Sequence, residues 1–181
     1  MEANDRQRAR RRHEQLRDLI IFAIFGAMMF GLKQVMSALP NIHPLAMFVM
    51  LLTVVYRSRA LIPIYLYVFL DGLYSGFSPW WFAYLYIWTI LWGVTMLLPK
   101  KMKPSVAAVV YPLICGIFGI VFGALYAPLW AVINRLSFEA TLGWIVAGLY
   151  FDILHAIGNT AIGCLVLPLS MALRRLIGEK N

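Results

Sequence analysis

The stretch Val54-Val55-Tyr56-Arg57-Ser58-Arg59-Ala60-Leu61-Ile62 sets two arginines between two apolar runs, residues 44–56 and 60–73, each short for a membrane span. Counting only apolar runs of about 18 residues or more leaves both out and gives four spans for the chain. Keeping them as short helices, tilted or shielded by their neighbours rather than facing lipid, gives six. The arginines decide between the two counts. With six spans, Arg57 and Arg59 fall on the same side as every other basic cluster, as the preference of Lys and Arg for cytoplasmic loops requires.

Working outward from that stretch, a helix is expected over residues 18–38, broken by the turn at residues 39–43. The run over 60–73 ends in the polar turn at residues 74–79. A fourth helix over 80–98 ends at Pro99-Lys100-Lys101-Met102-Lys103-Pro104. A fifth over 105–133 carries Pro112 and Pro128 and is expected to bend, and a long sixth over 140–173 ends at Arg174-Arg175. The expected fold is an all-α integral membrane protein, a six-transmembrane-helix bundle with N and C termini cytoplasmic. A basic cytoplasmic arm covers 1–17, the membrane domain 18–175 and a cytoplasmic tail 176–181.

Composition agrees with this class. Of the 181 residues 62% are hydrophobic and 13% charged, and the mean hydropathy is +0.77, whereas soluble domains are about half apolar and a quarter charged. Intrinsic disorder is excluded by the same figures. Cys115 and Cys164 both lie in apolar runs and make no disulfide framework, and no Cys/His cluster has zinc-site spacing, so no metal site is expected. The net charge of +8 suggests nucleic acid until it is located. Arg6, Arg8, Arg10, Arg11, Arg12 and Arg17 form the arm, and Lys180 follows Arg174 and Arg175 in the tail. Together with the two internal loops, these positions hold 14 of the 16 basic residues; only Lys33 and Arg135 fall toward the other side. Topology and contact with anionic membrane lipid account for that pattern, and no nucleic-acid partner is expected. The arm is also too basic to insert, and nothing in it has the form of a cleavable signal peptide.

Polar residues inside apolar helices carry most of the functional information. Asp152, His155 and Asn159 lie three and four apart on the sixth helix and so share a face. At about 1.5 Å per residue, Asp152 lies roughly 12 Å inward of Trp144 and Asn159 about 10 Å deeper. Gly143, Gly148, Gly158 and Gly163 on the same helix would admit a neighbour or a ligand. One reading is a polar strip lining a cavity open to the outer side; the other is that Asp152 and His155 pair with each other or with another helix to hold the bundle together. Asp71 closes the third helix. Trp80, Trp81, Tyr84, Trp88 and Trp92 run down the fourth. Trp80 and Trp81 suit the interfacial belt, while Trp88 and Trp92 lie too deep for it and either pack between helices or form a flat wall for a ring-bearing ligand.

Signatures of catalysis are missing. Gly72-Leu73-Tyr74-Ser75-Gly76 has one residue too many for the G-x-S-G of an intramembrane serine protease, and Asp71-Gly72 lacks the upstream aspartate of a lipid phosphotransferase. Neither H-E-x-x-H nor a phosphate-binding glycine loop occurs. No catalytic residue and no resident cofactor are expected, and the chain cannot hydrolyse ATP alone.

Ala23-x-x-x-Ala27 on the first helix, the segment Phe151-Asp152-Ile153-Leu154-His155-Ala156-Ile157-Gly158-Asn159, and Leu167-Pro168-Leu169 before a basic end together resemble the substrate-binding S component of energy-coupling factor (ECF) transporters. That resemblance covers nearly the whole chain after the arm. It implies a vitamin-class small molecule bound in the outer half of the bundle, beneath the loops around residues 40–43 and 74–80. It further implies docking through Ala23 and Ala27 on a transmembrane coupling subunit, and two ATPase subunits that use the ATP. Asp71, Tyr84, Trp88, Asp152, His155 and Asn159 are the candidate substrate-binding residues. Lys33 would either neutralise an anionic substrate or extend its amine to the interface. The residues do not match the thiamin, riboflavin, biotin or folate members, and the arm is heavier than the family requires. Many aromatics with few charges point to a large, mostly uncharged ring system, cobalamin or another corrinoid first. Two other classes fit the residues: a self-sufficient proton-coupled carrier using Asp152 and His155, and a purely structural membrane subunit.

Overall fold

A computed structural model describes residues 2–39 and 41–178, with all their side chains except those at positions 2, 3, 10 and 11. Pro40, Lys180 and the end of the expected tail therefore lie outside the described residues, as do the side chains of Arg10 and Arg11. The elements are α1 (Glu2–Val35), α2 (Leu45–Tyr56), a short 3-10 turn (Arg57–Ala60), α3 (Leu61–Ser75), α4 (Pro79–Met96), α5 (Pro104–Asn134), α6 (Phe138–Gly163) and α7 (Val166–Ile177). The described residues contain no strand. Four helical stretches are long and apolar enough to cross a membrane: Asn4–Val35, Leu45–Ser75, Pro104–Asn134 and Phe138–Gly163.

Helix α1 runs through the expected arm without a break. Between Glu2 and Phe25 there is neither Gly nor Pro, and Arg, Gln, Glu and Leu are strong helix formers, so basic charge bars insertion but not helicity. The stretch Leu45–Ser75 is not one rod. Arg57, with φ at 55° and ψ at −122°, ends α2, and the 3-10 turn sends the chain back as α3. Side-chain contacts fix the directions. Phe22 meets Tyr56 at 4.8 Å and Phe25 meets Phe48 at 5.9 Å, so α2 runs antiparallel to α1. Lys33 reaches Asp71 while Arg59 reaches Asp18, so α3 runs parallel to α1.

The short α2 is the centre of the bundle. All twelve of its residues are buried, as expected of a helix that is apolar on every side. Its hydroxyl-bearing Thr53 donates back to the Val49 carbonyl at 2.6 Å. Helices α1 and α6 are peripheral, with α6 turning Val146, Tyr150 and Ile157 outward at 63–70% exposure. Helix α5 stays continuous through Pro112 and Pro128. The long sixth helix expected over 140–173 is instead two, α6 and α7, separated at Cys164 and Leu165. Pro168 explains the break: it has no N–H for the Cys164 carbonyl, and its ring opposes that carbonyl, so it is tolerated in the first turn of a new helix and not in the interior of one. Beyond it, Val166, Ser170 and Leu173 bury one face of α7.

One end of the bundle gathers the basic segments. Arg57 donates to the Met96 and Leu98 carbonyls at 2.6 and 3.4 Å. Arg59 and Arg17 both bond to Asp18. Arg17 also donates to the Ile177 carbonyl at 3.0 Å, and Arg174 to the Val54 carbonyl at 2.7 Å. The Arg57, Arg17 and Arg174 guanidinium groups thus bond carbonyls at or just past the C-terminal ends of α4, α7 and α2, where a helix leaves carbonyls without partners of its own.

Candidate functional site

Helix α6 can present a polar face to the bundle because α5 gives it room. In α5, Gly116, Gly119 and Gly123 lie on the side facing α6. A Cβ at Gly119 would come within 2.6 Å of the Ala156 nitrogen, and one at Gly123 within 2.3 Å of the Asp152 carboxylate. The backbones therefore touch, and the Gly123 N–H donates to Asp152 Oδ1 at 3.1 Å. Asp152, His155 and Asn159 are buried, at 5%, 1% and 3% exposure. Neither nitrogen of His155 has a hydrogen-bond partner, so Asp152 and His155 do not pair with each other. The Asn159 amide nitrogen is unpartnered too.

His155 packs against Phe122, ring centres 4.9 Å apart, and against His43 at 5.2 Å. His43 lies between α1 and α2, outside the four stretches, and burial pushes its imidazole down to about 4, so it is neutral at physiological pH. Trp88 stands at the other side of His43, 6.4 Å away. Around Trp88 lie Phe118 at 5.5 Å, Tyr84 at 5.6 Å and Tyr67 at 6.2 Å. Its indole N–H is buried and has no acceptor. A hydrogen-bonding edge thus lies inside an aromatic shell, where unpartnered polar groups are costly and call for an explanation.

Next to this edge lies an open cavity of about 330 Å³, lined by Asp152, Phe122, Gly123, Tyr126, Trp144 and Phe151. Tyr126, Trp130 and Trp144 form a triangle of rings with centres 5.7–6.2 Å apart and planes within 33° of one another. Gly148 also lines the cavity, and a Cβ there would meet nothing within 4 Å. The loop before α2 closes one side: Asn41, at φ 57°, donates to the Phe151 carbonyl at 3.3 Å.

The remaining candidates form a second group. Asp71 is fully buried, and its carboxylate accepts from Lys33 Nζ at 2.5 Å and from Gln34 Nε2 at 3.1 Å. Lys33 Nζ sits 4.9 Å over Trp80 and 5.1 Å over Tyr84. Lys33 is therefore neither extended to the interface nor free for an anion: it ties α1 to α3. Tyr84 belongs to both groups, touching Trp88 on its other side. Trp81 and Trp92 hold helices together through their indole nitrogens, which donate to the carbonyls of Val68 and Arg57 at 2.8 and 3.1 Å. Gly72 makes the first of these possible, since a Cβ there would lie 2.4 Å from Trp81 Nε1 and 2.5 Å from Phe77. Gly72→Ala is expected to push Trp81 off its acceptor and cost about 2 kcal/mol, read as a lowered thermal midpoint together with a shifted tryptophan emission.

Ala23 and Ala27 lie exposed on α1, flanked by exposed Ile20, Ile24 and Met28. Gly31, four residues on, has open space at its Cβ position, so the small-residue ridge is longer than the alanine pair alone.

Sequence reasoning put Asp152, His155 and Asn159 on one face of α6, singled out Trp88 and set the loop at residues 40–43 over the expected site, but did not place Phe122, Tyr126, Trp130 or Trp144 beside them. A signal existed for the first three, spaced by four on α5, beside the glycines at 116, 119 and 123. The glycines of α6 were a poorer guide: Gly143 and Gly148 face open space, and only Gly163, whose Cβ would lie 2.9 Å from Pro112, sits at a tight contact. Comparison with known proteins finds no matching family model and no significant match among curated proteins or solved structures.

Proposed function

We propose that this chain is the substrate-binding subunit of an ECF-type importer. In this reading it spans the membrane six times with both termini cytoplasmic, takes a small ring-bearing micronutrient from the outer side, and docks on a transmembrane coupling subunit whose two ATPase partners use the ATP. The chain itself is neither an enzyme nor a cofactor carrier. The observation that carries the reading is the aromatic cavity, which lies away from the basic end and has Asp152 and Phe122 in its wall, Phe122 packing in turn on the buried His155. Flat rings supply stacking area, and a few fixed polar atoms would select a ligand by its own donors and acceptors. The ridge from Ala23 to Gly31, exposed at both alanines, supports the docking part, because small residues let a partner helix approach closely and part again without polar bonds.

Cavity size refines the substrate. About 330 Å³ is at the small end of ligand sites, which run from about 300 to 1,000 Å³. A compact, one- or two-ring heterocycle fits it; a corrinoid would need the groove between the loop at residues 41–43 and α6 to open.

Titration of tryptophan fluorescence against a vitamin panel, cobalamin included, tests this on the detergent-purified chain. Saturable quenching at sub-micromolar concentration is expected, weakened by at least about tenfold, or about 1.4 kcal/mol, in Asp152→Asn and in Trp144→Ala. A folded protein that answers to no vitamin would refute the reading. For docking, Ala23→Trp with Ala27→Trp is expected to abolish co-purification of the coupling subunit while leaving the quenching intact.

A further inference from the structure

The basic end of the bundle contains a second cavity, of about 280 Å³, unconnected with the aromatic site. Lys100, Lys101 and Arg174 line it, and among the described residues no acidic one does. Neither lysine forms an ion pair among the described residues. Helix α5 begins beside it with Pro104, and no side chain caps that end, so the partial positive charge of a helix N-terminus adds to that of the two lysines. The inner wall is apolar, formed by Val54, Leu167 and Met171. Val106 and Leu169, adjacent in sequence to residues of the lining, are exposed.

We propose that this cavity is a binding site for the phosphate of an anionic phospholipid. Lys100 and Lys101 repel each other across the hollow unless an anion lies between them. A phosphodiester supplies that anion. Its acyl chains suit the apolar wall and the exposed side chains beside it, which a free phosphate would leave uncovered. The cavity also lies where helices end and charged loops begin, the level of lipid head groups. Bound there, the lipid would join the α4–α5 loop to α7. The assignment does not depend on what the aromatic cavity binds.

Native mass spectrometry of the full chain in neutral detergent tests it, with phosphatidylglycerol and phosphatidylcholine of identical tails as probes. Phosphatidylglycerol is expected to bind in preference, and the doubly substituted Lys100→Gln/Lys101→Gln protein to bind it about thirtyfold more weakly, at roughly fivefold per cation removed near a membrane surface. Binding of phosphatidylcholine should not change. Both lysines are exposed, so this variant keeps its fold, unlike substitutions at Arg174, whose guanidinium holds the Val54 carbonyl. The control is Arg8→Gln/Arg12→Gln, which removes the same charge from exposed positions on α1 and should weaken binding less than about threefold if the cavity sets the affinity. Equal loss in the two double variants, or equal binding of the two lipids, would overturn the proposal. So would displacement of phosphatidylglycerol by millimolar inorganic phosphate, which would assign the site to free phosphate instead.

Discussion

Lys33→Met is expected to destabilise the bundle by about 3–5 kcal/mol, the cost of breaking a buried ion pair from one side. The Asp71 side chain is 0% exposed and Lys33 is 20% exposed, so removing the amine strands a carboxylate with Gln34 as its one remaining partner. Thermal unfolding in detergent, followed by tryptophan emission, reads the loss. A second substitution separates causes. Lys33→Met combined with Asp71→Leu replaces the pair by apolar groups of similar size, an exchange that is often neutral or stabilising, and should restore most of the midpoint. If the double variant were as unstable as the single one, the loss would belong instead to the ammonium over Trp80 and Tyr84, not to the stranded carboxylate.

Gly119→Val should be nearly as damaging, at about 3 kcal/mol or more. The atoms it would meet are backbone, Ala156 N at 2.6 Å and Cα at 2.7 Å, so no side-chain rotation relieves the clash and α6 must move away from α5. That movement would also draw Asp152 from the Gly123 N–H and widen the aromatic cavity, so ligand affinity should fall with stability. Gly143→Ala on α6 is the contrasting case. Its Cβ meets open space, and the better helix former should stabilise by up to about 1 kcal/mol. Equal effects from the two substitutions would mean that the α5 glycines are not the contact that sets the α5–α6 distance.

These two sites show how much could be read in advance. The shared face of Asp152, His155 and Asn159 follows from helical spacing alone, and all three are buried together. Lys33 and Asp71 are 38 positions apart on different helices, and no periodicity links them. Each was legible as a charge near a helix end, but not as half of a pair. The glycines illustrate the same limit. Sequence places Gly143 and Gly148 on α6 and Gly116, Gly119 and Gly123 on α5 with equal clarity, yet of these only the α5 set lies against the neighbouring helix, Gly119 on its backbone and Gly116 and Gly123 on its side chains. His43 read as a turn residue because its neighbours, Trp88 and His155, come from two distant helices.

The sequence by itself determined the class of protein, its helical runs, the four basic segments and the polar face of α6. Each of these follows from composition or from a repeat within one segment, since hydrophobic burial and helical geometry act over a few neighbouring residues. Tertiary structure decided that α2 is enclosed on every side, that Lys33 serves Asp71, and that two cavities lie apart, one aromatic and one basic. Those outcomes depend on which faces of different helices meet. Interhelical distance is set by whether a Cβ stands in the way, a property of two surfaces together that neither helix carries alone.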